Sequence, residues 1–156
     1  MRPALRATAR ARSTITNVLM KNSVQSHADQ VAAIHALIET AYFEGAFNAL
    51  DMDAMARGFH PEFAILSADG AALARFTRAD WLASIARRKS APDFDPATVR
   101  RTGRIMQVDI TGEVAAVKVE IDKEGALLYT DYLTLLHGPN GWRIVSKVYH
   151  EHAAAA

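Results

Sequence analysis

From Arg104 to His150 the chain alternates between strand-forming runs and turn signals, and this pattern confines it to folds built on an antiparallel sheet. Arg104–Ile110, Val114–Ile121, Tyr129–Leu136 and Trp142–His150 are rich in Val, Ile, Thr, Tyr and Leu, residues that suit a pleated, half-buried surface. Thr111-Gly112, Lys123-Glu124-Gly125 and His137-Gly138-Pro139-Asn140-Gly141 interrupt them, and turns of this kind close hairpins. Three consecutive hairpins make the four strands antiparallel.

Two of these strands carry a charge inside an apolar run. Asp131 sits in Tyr129-Thr130-Asp131-Tyr132-Leu133, and Lys147 sits in Ile144-Val145-Ser146-Lys147-Val148. If Leu136 pairs with Trp142 across the turn, Asp131 falls opposite Lys147 and Tyr129 opposite Tyr149. All four then share a face, because side chains alternate along strands. On a buried face such a group is a ligand site. On a solvated or dimer-facing surface it is a cross-strand ion pair.

The upstream half predicts helices and one shorter hairpin. Ser26-His27-Ala28-Asp29 is a capping-box start. Val31, Ile34, Ile38, Ala41, Tyr42 and Gly45 follow at helical spacing and predict a long helix ending near Leu50. Asp51 caps a short helix over Met52–Arg57, and Phe59-His60-Pro61 reads as a turn. Phe63–Ser67 and Leu73–Phe76 form a hairpin about Asp69-Gly70. Thr77-Arg78-Ala79-Asp80 opens a third helix with Trp81, Leu82 and Ile85 as its apolar stripe, and residues 90–98 read as a loop. A sheet of four long strands needs a cover, which the long first helix and the Trp81 helix supply. The fold class is α+β, a curved antiparallel sheet wrapped as a cone around the N-terminal helix. The apolar interior of such a cone is a small-molecule site.

Composition narrows the function. The chain of 156 residues suits one domain and contains no cysteine, which excludes disulfides, thiolate metal sites and cysteine nucleophiles. Residues 1–28 carry Arg2, Arg6, Arg10, Arg12 and Lys21 and no acid. The remainder holds 13 basic against 17 acidic residues, which does not suit a nucleic-acid partner. No apolar run is long enough for a membrane span. Residues 1–25 are expected to be a disordered basic extension, residues 26–152 the domain, and residues 153–156 a disordered tail. The extension reads as a disordered arm, a translated leader upstream of Met20, or a transit-peptide-like segment. The expected location is cytoplasmic, or organellar if the arm is a transit peptide.

Tyr42-Phe43-Glu44-Gly45, Asp51 with Phe59-His60-Pro61, and Ile105 with Asp109-Ile110-Thr111-Gly112 carry a family resemblance. Ala115-Ala116-Val117, Tyr129–Leu133 and Trp142–Lys147 complete it. Over about residues 29–150 the chain resembles the nuclear transport factor 2-like superfamily, also called cystatin-like. Its members include ketosteroid isomerases, scytalone dehydratases and SnoaL-like cyclases, and the chain is most similar to the branch labelled putative lumazine-binding. The resemblance implies that Asp131 matches the late-strand Asp that donates a hydrogen bond to the substrate oxyanion in the isomerases. Their first-helix Tyr falls at Phe43, or at Tyr42 with a one-residue shift. Their general-base Asp falls at Ser67, which cannot take a proton unaided, so the isomerase reaction itself is not expected.

Asp131 is thus the candidate catalytic residue, a neutral donor if desolvation dominates or a fixed acceptor if Lys147 lies alongside. Tyr42, Phe43, Phe63, Ser67, Trp81, Tyr129, Lys147 and Tyr149 are the candidate pocket. The expected ligand is a small, partly aromatic or carbonyl-bearing molecule. Any chemistry would be isomerisation, dehydration or cyclisation without a cofactor, and no metal is expected; His150 and His152 share a strand face but lack an evident third ligand. The competing reading is a non-catalytic dimeric binding or assembly module whose aromatics fill the cone. A homodimer is expected in either case, through one face of the sheet, since Thr134, Leu135, Leu136, Ile144 and Val145 place apolar residues on both faces.

Overall fold

The computed structural model describes residues 25–153; nearly all of the basic extension and the last three residues lie outside the described residues. The chain divides into two compact units, Met1–Gln30 and Val31–Ala156. Within the first, the described residues form the opening turn of helix α1 (His27–Leu37). Ser26 and Asp29 close the expected capping box there, with the Ser26 Oγ donating to Asp29 Oδ2 at 2.7 Å and accepting from the Asp29 N–H at 3.1 Å.

In the second unit the helix runs on from Ile38 to Asn48 but widens to i→i+5 hydrogen bonding. Thr40 supplies a local cause, since its hydroxyl bonds to the Ala36 carbonyl at 2.8 Å and competes with the helical ladder. The wider turn points three successive residues, Ala41, Tyr42 and Phe43, into the core, where α-helical spacing would turn at least one away. Helix α2 (Met52–Gly58) follows, with the Asp51 carboxylate accepting from the Asp53 and Ala54 N–H groups. It ends on Gly58 for a packing reason. A Cβ there would sit 2.3 Å from the Ala41 Cβ, so the two helices approach only without one.

The strands are β1 (Phe59–Asp69), β2 (Ala72–Thr77), β3 (Thr102–Thr111), β4 (Val114–Lys123), β5 (Ala126–Gly138) and β6 (Gly141–Glu151). They form one curved, unclosed sheet in the order β2-β1-β6-β5-β4-β3. All neighbours are antiparallel except β1 and β6. Helix α3 (Arg78–Lys89) follows β2 and packs on β1 and β2, opened by the Thr77–Asp80 capping box.

Two expectations about local structure are corrected. Phe59-His60-Pro61 is not a turn but the start of β1, with Phe59 in register with Ile144. Pro61 is tolerated because the β1–β6 register shifts between Phe59 and Ala64 and β2 joins only from Ala64 onward. Residues 90–98 are not all loop, since Pro96–Val99 form a single-turn helix, α4. Asp95 caps it and Pro96 occupies a first-turn position where no N–H is needed.

The core is an aromatic cluster held between the long helix and the concave face of the sheet. Tyr42, Phe59 and Phe63 are fully buried and Trp81 almost so. Phe59 lies 4.7 Å from Phe63 and 5.6 Å from Trp81, ring centre to centre, in edge-to-face contacts. Phe43 lies at the edge of this cluster, 5.9 Å from the Tyr42 ring between centres, and packs against β3. A Cβ at Gly103 would lie 2.2 Å from its ring, so that strand position requires glycine.

Candidate functional site

The β5–β6 register differs from the sequence expectation by two residues at the site. His137 pairs with Trp142 and Leu135 with Ile144, then a bulge at Val145 shifts the ladder so that Thr134 meets Ser146. Asp131 therefore lies opposite Tyr149, Lys147 opposite Leu133, and Tyr129 opposite Glu151. Asp131 and Lys147 are diagonal rather than directly opposed. A two-residue offset keeps side chains on their face, whereas a one-residue slip reverses them. The bulge matters for the same reason: without it Ile144 and Lys147 would point to opposite faces, yet both are buried on the concave side.

Asp131 is fully buried and Lys147 is 5% exposed. The Lys147 Nζ lies 3.2 Å from Asp131 Oδ2, and the Tyr42 hydroxyl donates a short hydrogen bond to the same oxygen. Asp131 Oδ1 is buried with no hydrogen-bond partner among the described residues. Burial pushes the Tyr42 phenol well above its ordinary pKa, and the Asp131 charge pushes the same way, so Tyr42 keeps its proton and acts as a donor. Burial pulls Lys147 below its ordinary value, and the Asp131 charge resists this. The Lys147 Nζ is also 5.3 Å from the Tyr42 ring centre, 5.7 Å from Phe47, 5.3 Å from Trp81 and 4.9 Å from Tyr149, within cation–π range of all four.

A cavity of about 570 Å³ opens over this ammonium. Of the residues expected to form a pocket, Ser67, Trp81, Tyr129, Lys147 and Tyr149 line it. Tyr42, Phe43, Phe63 and Asp131 do not. Asp131 and Tyr42 lie behind Lys147, and Phe43 and Phe63 are core. The group presented to the cavity is thus the ammonium, with the carboxylate as its support. Tyr129 and Tyr149 meet edge to face at 5.7 Å on the wall.

Sequence reasoning missed Phe47, Ser84 and Arg88, which also line the cavity. The signal for two of them was present. Trp81, Ser84 and Arg88 lie at i, i+3 and i+7 on α3 and share its inner face. Phe47 is placed by the wide helical turn, which α-helical spacing hides. Arg75 touches the cavity from β2, but its guanidinium donates to the Glu62 carbonyl at 3.1 Å. Two histidines elsewhere in the fold are held by local hydrogen bonds. The His60 Nδ1 accepts from the Glu62 N–H at 3.1 Å, and the His152 ring bonds to Thr130 Oγ1 at 2.9 Å. Among the described residues no three His, Asp or Glu side chains converge to hold a metal, and no helix is long and apolar enough to cross a membrane.

Comparison with known proteins agrees with this architecture. The family model described as "Putative lumazine-binding" matches residues 29–150. Among solved structures, an NTF2-like protein of unknown function from Silicibacter pomeroyi is 27% identical, with 82% of this chain and 100% of that chain covered at a TM-score of 0.64. One from Shewanella baltica is 26% identical, with 83% and 99% covered at 0.62. A structure from Streptomyces avermitilis, titled a putative dehydratase of the NTF2-like family, shares the fold at 15% identity, with 83% and 100% covered and a TM-score of 0.56. No curated protein sequence matches the chain. The match over most of its length, on the curved sheet and covering helix just described, makes this chain a member of the "Putative lumazine-binding" family within the nuclear transport factor 2-like superfamily.

Proposed function

We propose that the protein binds a small planar molecule, aromatic or carbonyl-bearing, in the cavity above Lys147. The observation that carries this reading is a buried ammonium at the edge of an open cavity, braced from behind by Asp131 and Tyr42. An ammonium has three N–H donors, and Asp131 takes one of them. Lys147 lines a space walled by Phe47, Trp81 and Tyr149, which suits a flat ring carrying an acceptor oxygen for a remaining donor. The volume falls within the range of small-molecule sites, about 300–1,000 Å³, and a filled cone would have favoured the assembly-module reading.

Binding is favoured over proton abstraction by the wall itself. The resemblance puts the isomerase base at Ser67, and among the described residues no carboxylate lines the cavity. Asp131 acts in this reading as a positioning residue, fixing the ammonium that meets the ligand. The dehydratase name of the Streptomyces avermitilis relative is compatible with an oxygen-bearing ligand, which Lys147 would polarise.

The protein is further proposed to pair with a second copy through the convex face of the sheet. Val114, Tyr132, Leu136 and Val148 are each about half exposed there, at 52%, 50%, 48% and 48%. Val114 pairs with Leu136 and Tyr132 with Val148 across adjacent strands, two apolar pairs on one face with the Thr134–Ser146 pair between them. Native mass spectrometry of freshly purified full-length protein tests both proposals in one spectrum. The expected species is two chains of 17.0 kDa carrying a small molecule, which Lys147→Met loses while the pair persists. A single chain would contradict the pairing. Protein that carries nothing and takes up no planar aromatic probe would contradict the binding reading.

A further inference from the structure

The donors and acceptors on the cavity wall are unequal in number, and the imbalance bears on the charge of the ligand. Lys147 offers N–H donors beyond the one directed at Asp131. Arg88 reaches the cavity from the inner face of α3 with five N–H donors. Neither of the ion-pair groups among the described residues, Arg104 with Glu120 and Asp122 or Lys147 with Asp131, includes it. Ser67, Ser84, Tyr129 and Tyr149 add four hydroxyls. Among the described residues no Asp or Glu lines the space. Glu151 and Arg101 both act on the Tyr129 phenol from outside the lining, with opposite signs, so they do not reverse the balance. The Asp131 charge is already engaged by Lys147, and among the described residues neither Arg88 nor Arg75, whose guanidinium is held by the Glu62 carbonyl, is paired with an acid; of the two, Arg88 is the one without a backbone carbonyl partner.

We propose that the ligand is a planar aromatic carboxylate, its ring between the cavity aromatics and its negative charge held by Arg88, with Lys147 hydrogen-bonding an oxygen at the buried end. This rests on the reading of the cavity as the ligand site and adds the sign of the ligand's charge. The wall supplies what such a molecule needs. Phe47, Trp81 and Tyr149 present apolar ring surface, and the guanidinium forms the planar fork that matches a carboxylate. A neutral ligand of the same shape would bury ring surface equally well and leave the Arg88 donors unused. A cationic one would meet three positive side chains, Arg75, Arg88 and Lys147, and, among the described residues, no carboxylate.

The test is calorimetric titration of the full-length protein with 2-naphthoate and with 2-naphthamide, which share a ring and differ in charge. The expected result is that the carboxylate binds about tenfold or more tightly than the amide, the range for one hydrogen bond to a charged partner. Arg88→Gln should bring the two affinities together, Arg88→Lys should restore part of the difference, and added salt should narrow it. Arg88 is exposed on its helix, so these variants are expected to fold. Equal affinities in the unsubstituted protein, or a preference that survives Arg88→Gln, would overturn the charge assignment while leaving the cavity as a ligand site. Failure of both probes to bind would overturn the cavity reading and this inference together.

Discussion

Asp131→Asn is expected to destabilise the protein by about 3–5 kcal/mol, the range for breaking a buried ion pair on one side. The substitution keeps the shape of the side chain and leaves Tyr42 a carbonyl oxygen to bond. It removes the only carboxylate among the described residues within ion-pair distance of a Lys147 that is 5% exposed. Four aromatic rings near the ammonium offset part of its desolvation, but cation–π contacts contribute about 0.5–2 kcal/mol and do not replace a counter-charge. Chemical denaturation of the variant beside the unsubstituted protein reads the difference. Asp131→Asn combined with Lys147→Met should recover part of the lost stability, because an apolar chain then fills the space without a charge to compensate. It should not recover ligand binding. A single variant as stable as the parent would place the pair in a solvated setting, where such pairs contribute about 0–1 kcal/mol.

Phe59→Ala is the second large effect, also about 3–5 kcal/mol. Phe59 is fully buried and touches Phe63, Trp81 and Tyr42, at 4.7, 5.6 and 6.1 Å between ring centres. Its removal leaves a hollow directly beneath Trp81, one wall of the cavity. Lost stability should therefore be accompanied by weaker binding of 2-naphthoate, although Phe59 does not line the cavity. Phe76→Ala is the contrast. Phe76 lines the cavity but is 42% exposed, so its removal should weaken binding with a stability change of about 0.5 kcal/mol or less. Thermal melts and titrations of the two variants should show this reversal, and equal stability losses would contradict the placement of the core.

Much of the architecture is legible in the sequence because it is written in local signals. Both capping boxes, the Asp51 cap and the three terminal hairpins depend on residues close together in the chain, and each forms at its expected place, the last hairpin in a shifted register. Features that depend on a break in periodicity are not legible in this way. The Val145 bulge adds one residue to β6 and cannot be read from alternation, yet it decides that Ile144 and Lys147 share a face. The widened helix likewise hides the placement of Phe47 and decides which of Tyr42 and Phe43 meets Asp131. Sequence reading brought Asp131, Lys147, Tyr129 and Tyr149 to one face because its register error was an even number of residues. It could not tell which charged group faces the cavity. That depends on depth. The longer lysine side chain ends at the cavity wall, while the shorter aspartate and the Tyr42 hydroxyl meet behind it.

The central claim is that Lys147 is the polar group a ligand meets. It is tested most directly by following lysine amino groups by nuclear magnetic resonance in protein labelled with nitrogen-15 at the lysine Nζ, with the Lys147 signal identified by its disappearance in Lys147→Arg. On addition of excess 2-naphthoate the Lys147 signal should shift. The signal of Lys118, which lies on the other face of the sheet beside Tyr132, should stay in place. A Lys147 signal that does not move at saturating ligand would contradict the account.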